Sequence, residues 1–436
     1  MARSWTFLFL LFAATTALAD NNLLRLHGSN TIGDKLAPVL AEQWLKSKGY
    51  TQVSVRETAP DERLVVGRNT DGNEFFVEIH AHGSTTAFAD LASGSTDIGM
   101  ASRPIKPEEV SGLARLGKMN EVSSEYVIGL DGVAVIVNFD NPLTTLDKET
   151  VRRIFSGELR DWSQLGGKPG AIHVLARDDK SGTYDTFKNL VLDGGAPLTK
   201  GAQRYEASVD LVAQVKADPQ AIGFVGLAYT DGVKPLAISD GGAAIMPESF
   251  SVATEDYALS RRLYLYVPTR GERWKVAQEF ARFAVSTVGQ LALEPNGFIS
   301  QEIEARHLPP PADAPQEYAQ FVRNAHRLSL NFRFEKGVFD LDNKAKRDMQ
   351  RLAAYFAKPE NLHRKLLLFG FADSHESIPM RSLVLSVDRA DTVADMLIRN
   401  GLRPYRVRGY GSAVEVASNN SDSGRHRNRR VEVWVQ

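Results

Sequence analysis

A run of prolines, Leu308-Pro-Pro-Pro-Ala-Asp-Ala-Pro315, divides this 436-residue chain into two stretches of different texture. Consecutive prolines lack backbone N–H groups and fix φ, so helix and sheet pairing are both disfavoured there. Residues 306–319 are therefore expected as a stiff connector. Before them, from Leu23 to about Ala305, short apolar runs alternate with helical periodicity, the pattern of an α/β fold. Residues 133–138 (VAVIVN) and 221–229 (AIGFVGLAY) are apolar almost throughout, which fits strands covered on both faces. After the prolines, residues 328–334 (LSLNFRF), 365–371 (KLLLFGF), 406–410 and 430–435 read as strands. One helix between them turns Ala345, Met349, Leu352, Ala353 and Phe356 inward, and another Leu383, Val387, Ala390, Val393 and Leu397. That order predicts a smaller α+β domain.

The amino terminus reads Met-Ala-Arg-Ser, an apolar run from Trp5 to Ala14, and Ala17-Leu-Ala19 before Asp20. This is the layout of a secretory signal peptide, residues 1–19. The run is too short to cross a bilayer and no later window is apolar enough, so no membrane span is expected in the mature chain. The absence of cysteine excludes disulfides, thiolate chemistry and a lipid on an amino-terminal cysteine. A formal charge of -1 gives no reason to expect a nucleic-acid partner.

The chemistry concentrates in Arg177-Asp-Asp-Lys-Ser-Gly-Thr183, just before a helical segment containing Phe187, Leu190 and Val191. A guanidinium, two hydroxyls and a helix start form an anion receptor that needs no metal. Two earlier loops, Gly28-Ser-Asn-Thr31 and Gly83-Ser-Thr-Thr86, also precede apolar-periodic segments, the first of them covering Leu36, Val39, Leu40 and Trp44. Each loop alone is equally an ordinary turn or cap. Together they suggest one oxyanion held from several sides: Arg177 as the fork, Ser181, Gly182 and Thr183 as a cup, Asn30, Thr31, Ser84 and Thr85 as opposing walls, and Asp179 bracing Arg177. No metal-ligand motif or nucleophile elbow is present. His80 and His82 share a strand face and are read as exposed histidines, so neither metal nor cofactor is expected.

Asp97-Ile-Gly-Met-Ala-Ser-Arg-Pro104, Asp131-Gly-Val-Ala-Val-Ile-Val-Asn138, Ile154-Phe-Ser-Gly-Glu-Leu-Arg-Asp-Trp-Ser163, Ile222-Gly-Phe-Val225 and the first and third loops make residues 23–300 resemble the periplasmic phosphate-binding proteins of ABC transporters. The resemblance implies a two-lobed, type 2 periplasmic binding fold closing on phosphate. It implies ligand contacts at Asn30, Thr31, Ser84, Arg177, Ser181, Gly182 and Thr183. Where the family carries an aspartate that accepts the proton of hydrogen phosphate, this chain has Ser102. A hydroxyl also donates, so sulfate would be rejected less well, and sulfate or a phosphorylated small molecule stays open as the ligand.

In the last stretch, Asp373 follows a strand and a glycine, and Arg389 lies on the next helix, a carboxylate and a guanidinium suited to one zwitterion. Gly370-Phe-Ala-Asp373, Leu385-Ser-Val-Asp-Arg-Ala390, Gly409-Tyr-Gly411 and Asn428-Arg-Arg-Val-Glu432 make it similar to OmpA-like peptidoglycan-binding domains. The resemblance gives Asp373 and Arg389 the grip on the diaminopimelate of the wall peptide, with Asn428 and Arg429 bordering the site and Ser382 standing where the family commonly has asparagine.

The expected organisation is a signal peptide (1–19), a two-lobed α/β domain (20–305), the connector (306–319) and an α+β OmpA-like domain (320–436). The expected function is non-catalytic: a periplasmic receptor for phosphate or a related oxyanion, tethered to peptidoglycan, with the outer membrane as a further candidate association and an ABC permease as a candidate partner. The alternatives are a structural or adhesive envelope protein and a phosphate-ester hydrolase.

Overall fold

The computed structural model describes residues 22–179, 181–192, 195–337, 339–375 and 379–436. The expected signal segment lies outside them. Among these residues eleven strands form one mixed sheet, in the order Gln52–Ala59, Glu62–Arg68, Glu74–His80, Leu23–Gly28, Ile98–Ala101, Ser260–Tyr266, Glu125–Val137, Ala221–Gly226, His173–Arg177 and Gln203–Tyr205, with Lys234–Pro235 paired beside Glu125–Val137.

The long strand Glu125–Val137 makes two lobes of this sheet. Glu125 to Gly132 pair with Ser260–Tyr266, and Val133 to Val137 pair with Ala221–Gly226, so one strand belongs to both halves. Its second half is apolar at every residue because both faces are covered. Val133, Val135 and Val137 enter a core with Phe155, Phe187 and Phe224, whereas Ala134 and Ile136 enter another with Leu211 and Val215. The first lobe has its own core around Leu26, Trp44, Ile79 and Phe280. The expected helices occur as Ala37–Ser47 and Gly182–Leu190. The apolar run at 221–229 is strand only to Gly226; a tight turn, Leu227–Tyr229, then brings the Tyr229 hydroxyl to Asp34 of the first lobe, to which it donates at 3.1 Å.

In the second domain a five-stranded sheet runs Ala305–His307, His326–Arg333, Arg430–Val435, Leu366–Gly370, Arg406–Gly409. Helices Asn343–Ala357 and Pro379–Arg399 cover one face. Of the residues expected as a connector, 306–319, the two ends join elements of this domain, 306–307 a strand and 316–319 a helix, while 308–315 between them are in neither. Ala305–His307 pairs with His326–Arg333, and helix Gln316–Val322 lays Tyr318 and Val322 on Leu367, Phe369 and Trp434, with the Tyr318 hydroxyl donating to buried Glu432 at 2.8 Å.

The inward face expected for the helix Pro379–Arg399 is corrected over its first turns. Leu383 and Val387 are exposed (43% and 37%), and Ser382, Ser386 and Arg389 face the protein instead. A Cβ on Gly370 would lie 2.0 Å from the Ser386 carbonyl oxygen and one on Gly409 2.4 Å from its Oγ. The helix thus meets the sheet backbone too closely there for leucine or valine.

The two domains are docked through buried charge. Strand His326–Arg333 sends Leu328, Leu330 and Phe332 into its own core and turns Arg327, Asn331 and Arg333 to Asp256 of the first domain. Beside it, Arg262 pairs with Asp342 at 2.6 Å, and Asn343 donates to the Asn120 carbonyl at 2.9 Å. No helix among the described residues is long and apolar enough to cross a membrane.

Candidate functional site

The first two loops and the turn at Ser102 are assembled by backbone. Gly28 ends its strand at φ 136°, and a Cβ there would lie 2.1 Å from the Met100 carbonyl oxygen, so only glycine fits. Ser29 N–H then donates to Met100 O (2.8 Å), and Gly83 N–H donates to Gly28 O (2.7 Å). These bonds hold the loops at 28–31, 83–86 and 102 side by side at one edge of the first lobe. Ser84 Oγ accepts from Ser102 N–H at 3.0 Å and lies 3.2 Å from Ser102 Oγ.

From the second lobe, Ser181 caps the helix Gly182–Leu190 by accepting from Tyr184 N–H. Gly182 meets the first lobe directly: a Cβ added to it would lie 2.9 Å from Ser102 Oγ, 3.5 Å from Thr31 Oγ1 and 3.6 Å from Ser29 Oγ. The loops therefore converge at Gly182, on a cleft of about 440 Å³ lined by Asn30, Thr31, Arg177, Ser181 and Thr183. Buried Ser84 and Ser102 stand behind this group, Ser102 lining an adjoining cavity. Thr85 is not part of it. One residue further round the helix than Ser84, it is exposed. Ser29 Oγ and Asn30 Oδ1 are buried with no hydrogen-bond partner among the described residues.

Arg177 is half-buried, and burial lowers its pKa from the ordinary arginine value. Three of its five N–H groups are engaged: Nε with Tyr205 O, Nη1 with Ser208 Oγ and Nη2 with Glu206 O. Two remain for a ligand. Asp179 does not brace it; that carboxylate is 87% exposed and pairs with Arg204. An aspartate at the outer end of the loop reaches water and a surface cation more readily than a half-buried guanidinium.

A second arginine went unread in the sequence. Arg261 lines the same cleft, with its side chain 3% exposed, and its Nε donates to the carboxylate of equally buried Asp131 at 2.9 Å. It also donates to Gly182 O (3.0 Å), Thr183 Oγ1 (3.2 Å) and Thr186 Oγ1 (3.3 Å). Asp131 and Arg261 are register partners on adjacent strands, next to the point where Glu125–Val137 passes from lobe to lobe. The available signal was Asp131 itself, a carboxylate inside an apolar strand, which burial obliges to find a cation. In all, the cleft lining holds seven carboxylates (Asp34, Glu57, Asp61, Asp131, Asp178, Glu206, Asp210) against three cations (Lys35, Arg177, Arg261). Attraction at close range must therefore come from hydroxyls, amides and the Arg177 fork rather than from net charge. Such donors suit a tetrahedral oxyanion.

In the second domain a cleft of about 690 Å³ is lined by Asp373, His375, Arg425, His426 and Arg429, among others. Asp373 is 1% exposed; one carboxylate oxygen accepts from Arg429 Nη1 (2.9 Å) and the other from His375 N–H (2.9 Å). Arg389 lies outside the lining, 1% exposed, donating to Phe371 O (3.3 Å) and stacked 5.7 Å from the Phe334 ring. Ser382 and Asn428 are buried as well. Asn428 accepts from Val416 and Ala417 N–H and donates to Ala417 O, so it braces the loop beside the cleft. Burial, then the Arg333 and Arg262 charges, push the His426 imidazole down to about 4.

Comparison with known proteins agrees with both halves. Residues 58–288, just over half of the chain, match the PBP superfamily domain, and residues 333–429 match the OmpA family. The chain is 31% identical over 211 residues to the phosphate-binding protein PstS of Bacillus subtilis, covering 48% of this chain and 66% of that one. With the protein of the same name from Staphylococcus saprophyticus it shares 32% identity over 239 residues, 53% of this chain and 73% of that one. An ABC-type phosphate transport receptor from Vibrio cholerae shares the fold, with a TM-score of 0.50 at 24% identity over 63% of this chain and 99% of that one. Both of these PstS relatives are named as binding proteins rather than as enzymes. A two-lobed sheet with one shared strand, a cleft of hydroxyl, amide and guanidinium donors between the lobes and these matches together place the chain in the PstS-like family of periplasmic binding proteins, with an OmpA-family domain fused behind it.

Proposed function

We propose that this protein is a periplasmic receptor for inorganic phosphate, held on peptidoglycan by its second domain and serving ABC-type uptake. The observation that carries the reading is the meeting of Ser29, Thr31 and Ser102 hydroxyls at Gly182, beside a cleft that Arg177 also lines. The relatives' names support phosphate over other tetrahedral anions. Contacts would come from Asn30, Thr31, Ser84, Ser102, Arg177 and the 181–183 cup. Wall attachment would rest on Asp373 taking the ammonium of the diaminopimelate peptide, with Arg429 and Arg389 behind it.

Titration calorimetry tests the first half. Arg177→Ala is expected to weaken phosphate binding by roughly 100-fold through loss of a charge-assisted fork. Sulfate should compete measurably, because the Ser102 hydroxyl can donate to it. A flat trace for the unmodified protein would leave a purely structural envelope role. Co-sedimentation with purified peptidoglycan tests the second half. Asp373→Asn is expected to lose most of the pelleted fraction while phosphate binding persists; undiminished pelleting would put the wall contact elsewhere.

A further inference from the structure

Away from the cleft, sheet register gathers three imidazoles and two carboxylates on one patch of the first lobe. Strand Leu23–Gly28 runs parallel to Glu74–His80 with His27 opposite His80, and Glu62–Arg68 runs antiparallel to it with Glu62 opposite His80. Glu62, His80 and His27 thus form one row across three strands, on a common face. Glu78 lies two residues before His80 on that face, and His82 two residues beyond it.

The side chains close on one another. His80 Nε2 is 3.7 Å from Glu62 Oε2 and 3.7 Å from Glu78 Oε1, and His82 Nε2 is 3.0 Å from Glu62 Oε1. One ligand atom from each of Glu62, His80 and His82 lies within 4.8 Å of the others, and the same holds for His27, Glu78 and His80. Ligands about 2.0–2.2 Å from a tetrahedral ion stand roughly 3.3 Å apart, so side-chain adjustments of about an ångström suffice. The His27 and His80 rings stack at 4.2 Å, and Asp90 holds His27 Nδ1 at 2.8 Å, the kind of carboxylate–imidazole contact that orients rings around a metal. Glu62, His80 and His82 are 28, 26 and 43% exposed, which leaves a path for an ion and room for water in the fourth position.

We propose that His80, His82 and Glu62 bind one divalent first-row transition ion of the zinc class, with Glu78 and His27 as the supporting row. Two imidazoles and a carboxylate suit zinc, nickel or copper rather than calcium or magnesium. The placement gives the ion a structural consequence. His27 immediately precedes Gly28, His82 immediately precedes Gly83, and Ala81 between His80 and His82 receives the Asn30 amide on its carbonyl and donates its own N–H to Asp61 O at 2.9 Å. An ion here would staple the root of the second loop to the Glu62 hairpin, with His27 at the root of the first loop stacked against the ligand His80, whatever those loops bind.

The experiment uses the full mature chain, stripped with chelator and titrated with zinc by calorimetry, with cobalt as a visible-absorption probe of coordination. One ion per chain is expected, together with cobalt bands of low-symmetry coordination and a higher melting temperature with zinc. His80→Ala should weaken zinc about 100-fold, and His82→Ala and Glu62→Gln roughly tenfold each. His173→Ala, on the second lobe, should change nothing. His82 is exposed, so its variant reports on the site even if His80→Ala unfolds. No saturable zinc binding by the unmodified protein, or unchanged affinity and stoichiometry in His82→Ala and Glu62→Gln, would overturn the assignment.

Discussion

Replacing Arg261 by methionine is expected to lower the unfolding free energy by about 3–5 kcal/mol, measured by urea denaturation. The change strands Asp131, 1% exposed, without its cation in the strand that both lobes share. It also removes the donors to Gly182 O and Thr183 Oγ1 that hold the mouth of the anion cup. The pair itself contributes less than its rupture costs, because both charges lose their hydration on folding. The double variant Asp131→Leu with Arg261→Met should therefore recover much of the lost stability while leaving the cup slack, so that phosphate binding stays weak. A single variant as stable as the parent would mean that Asp131 finds water or another partner, and that the joint between the lobes does not rest on this pair.

The second large effect concerns docking. Asp256→Ala should cost about 3–5 kcal/mol and split one cooperative melting transition into two, read by calorimetry and by new protease cleavage between the domains. Asp256 is 5% exposed and receives Arg327 Nη2 at 2.8 Å, Arg333 Nη2 at 3.0 Å and Asn331 Nδ2 at 3.1 Å. Burial pushes its pKa up, but the Arg327 and Arg333 charges outweigh that and hold it below the ordinary aspartate value. A depressed folded pKa means that the unfolded chain takes up the proton first. The contribution is whole above the ordinary carboxylate range and is lost as pH falls through the folded pKa. Only acid below the ordinary aspartate range should thus loosen the docking in the parent as the substitution does at neutral pH. A single unshifted transition in Asp256→Ala would show that the domains are held by other contacts.

These two sites mark where sequence reading stopped. Alternation in residues 328–334 announces a strand, but an alternating strand ordinarily shows its polar face to water; here Arg327, Asn331 and Arg333 face another domain, and nothing in local pattern distinguishes the two cases. The same holds for Leu383 and Val387, whose apolar character outvoted the two glycines that press the helix onto the sheet. The α/β layer, the second domain and the loop cluster were legible because each rests on short-range signals: covered strands, glycine turns and capped helix starts. Arg261 was not, since its only sequence neighbours are strand residues and its meaning comes from Asp131, 130 positions away. His27 and Glu62 were hidden from His80 for the same reason, being neighbours only through register.

The charge balance of the cleft lining carries a kinetic corollary. A dianion approaching seven carboxylates and three cations meets net repulsion before it reaches the first hydroxyl. Mobile ions damp such a field beyond about 8 Å at physiological strength, but leave contacts made at hydrogen-bonding range nearly intact. Salt should therefore quicken capture by this receptor without loosening its hold, the reverse of a basic patch that draws its ligand in. Raising the ionic strength would then fill such a cleft faster from the same dilute supply of anion.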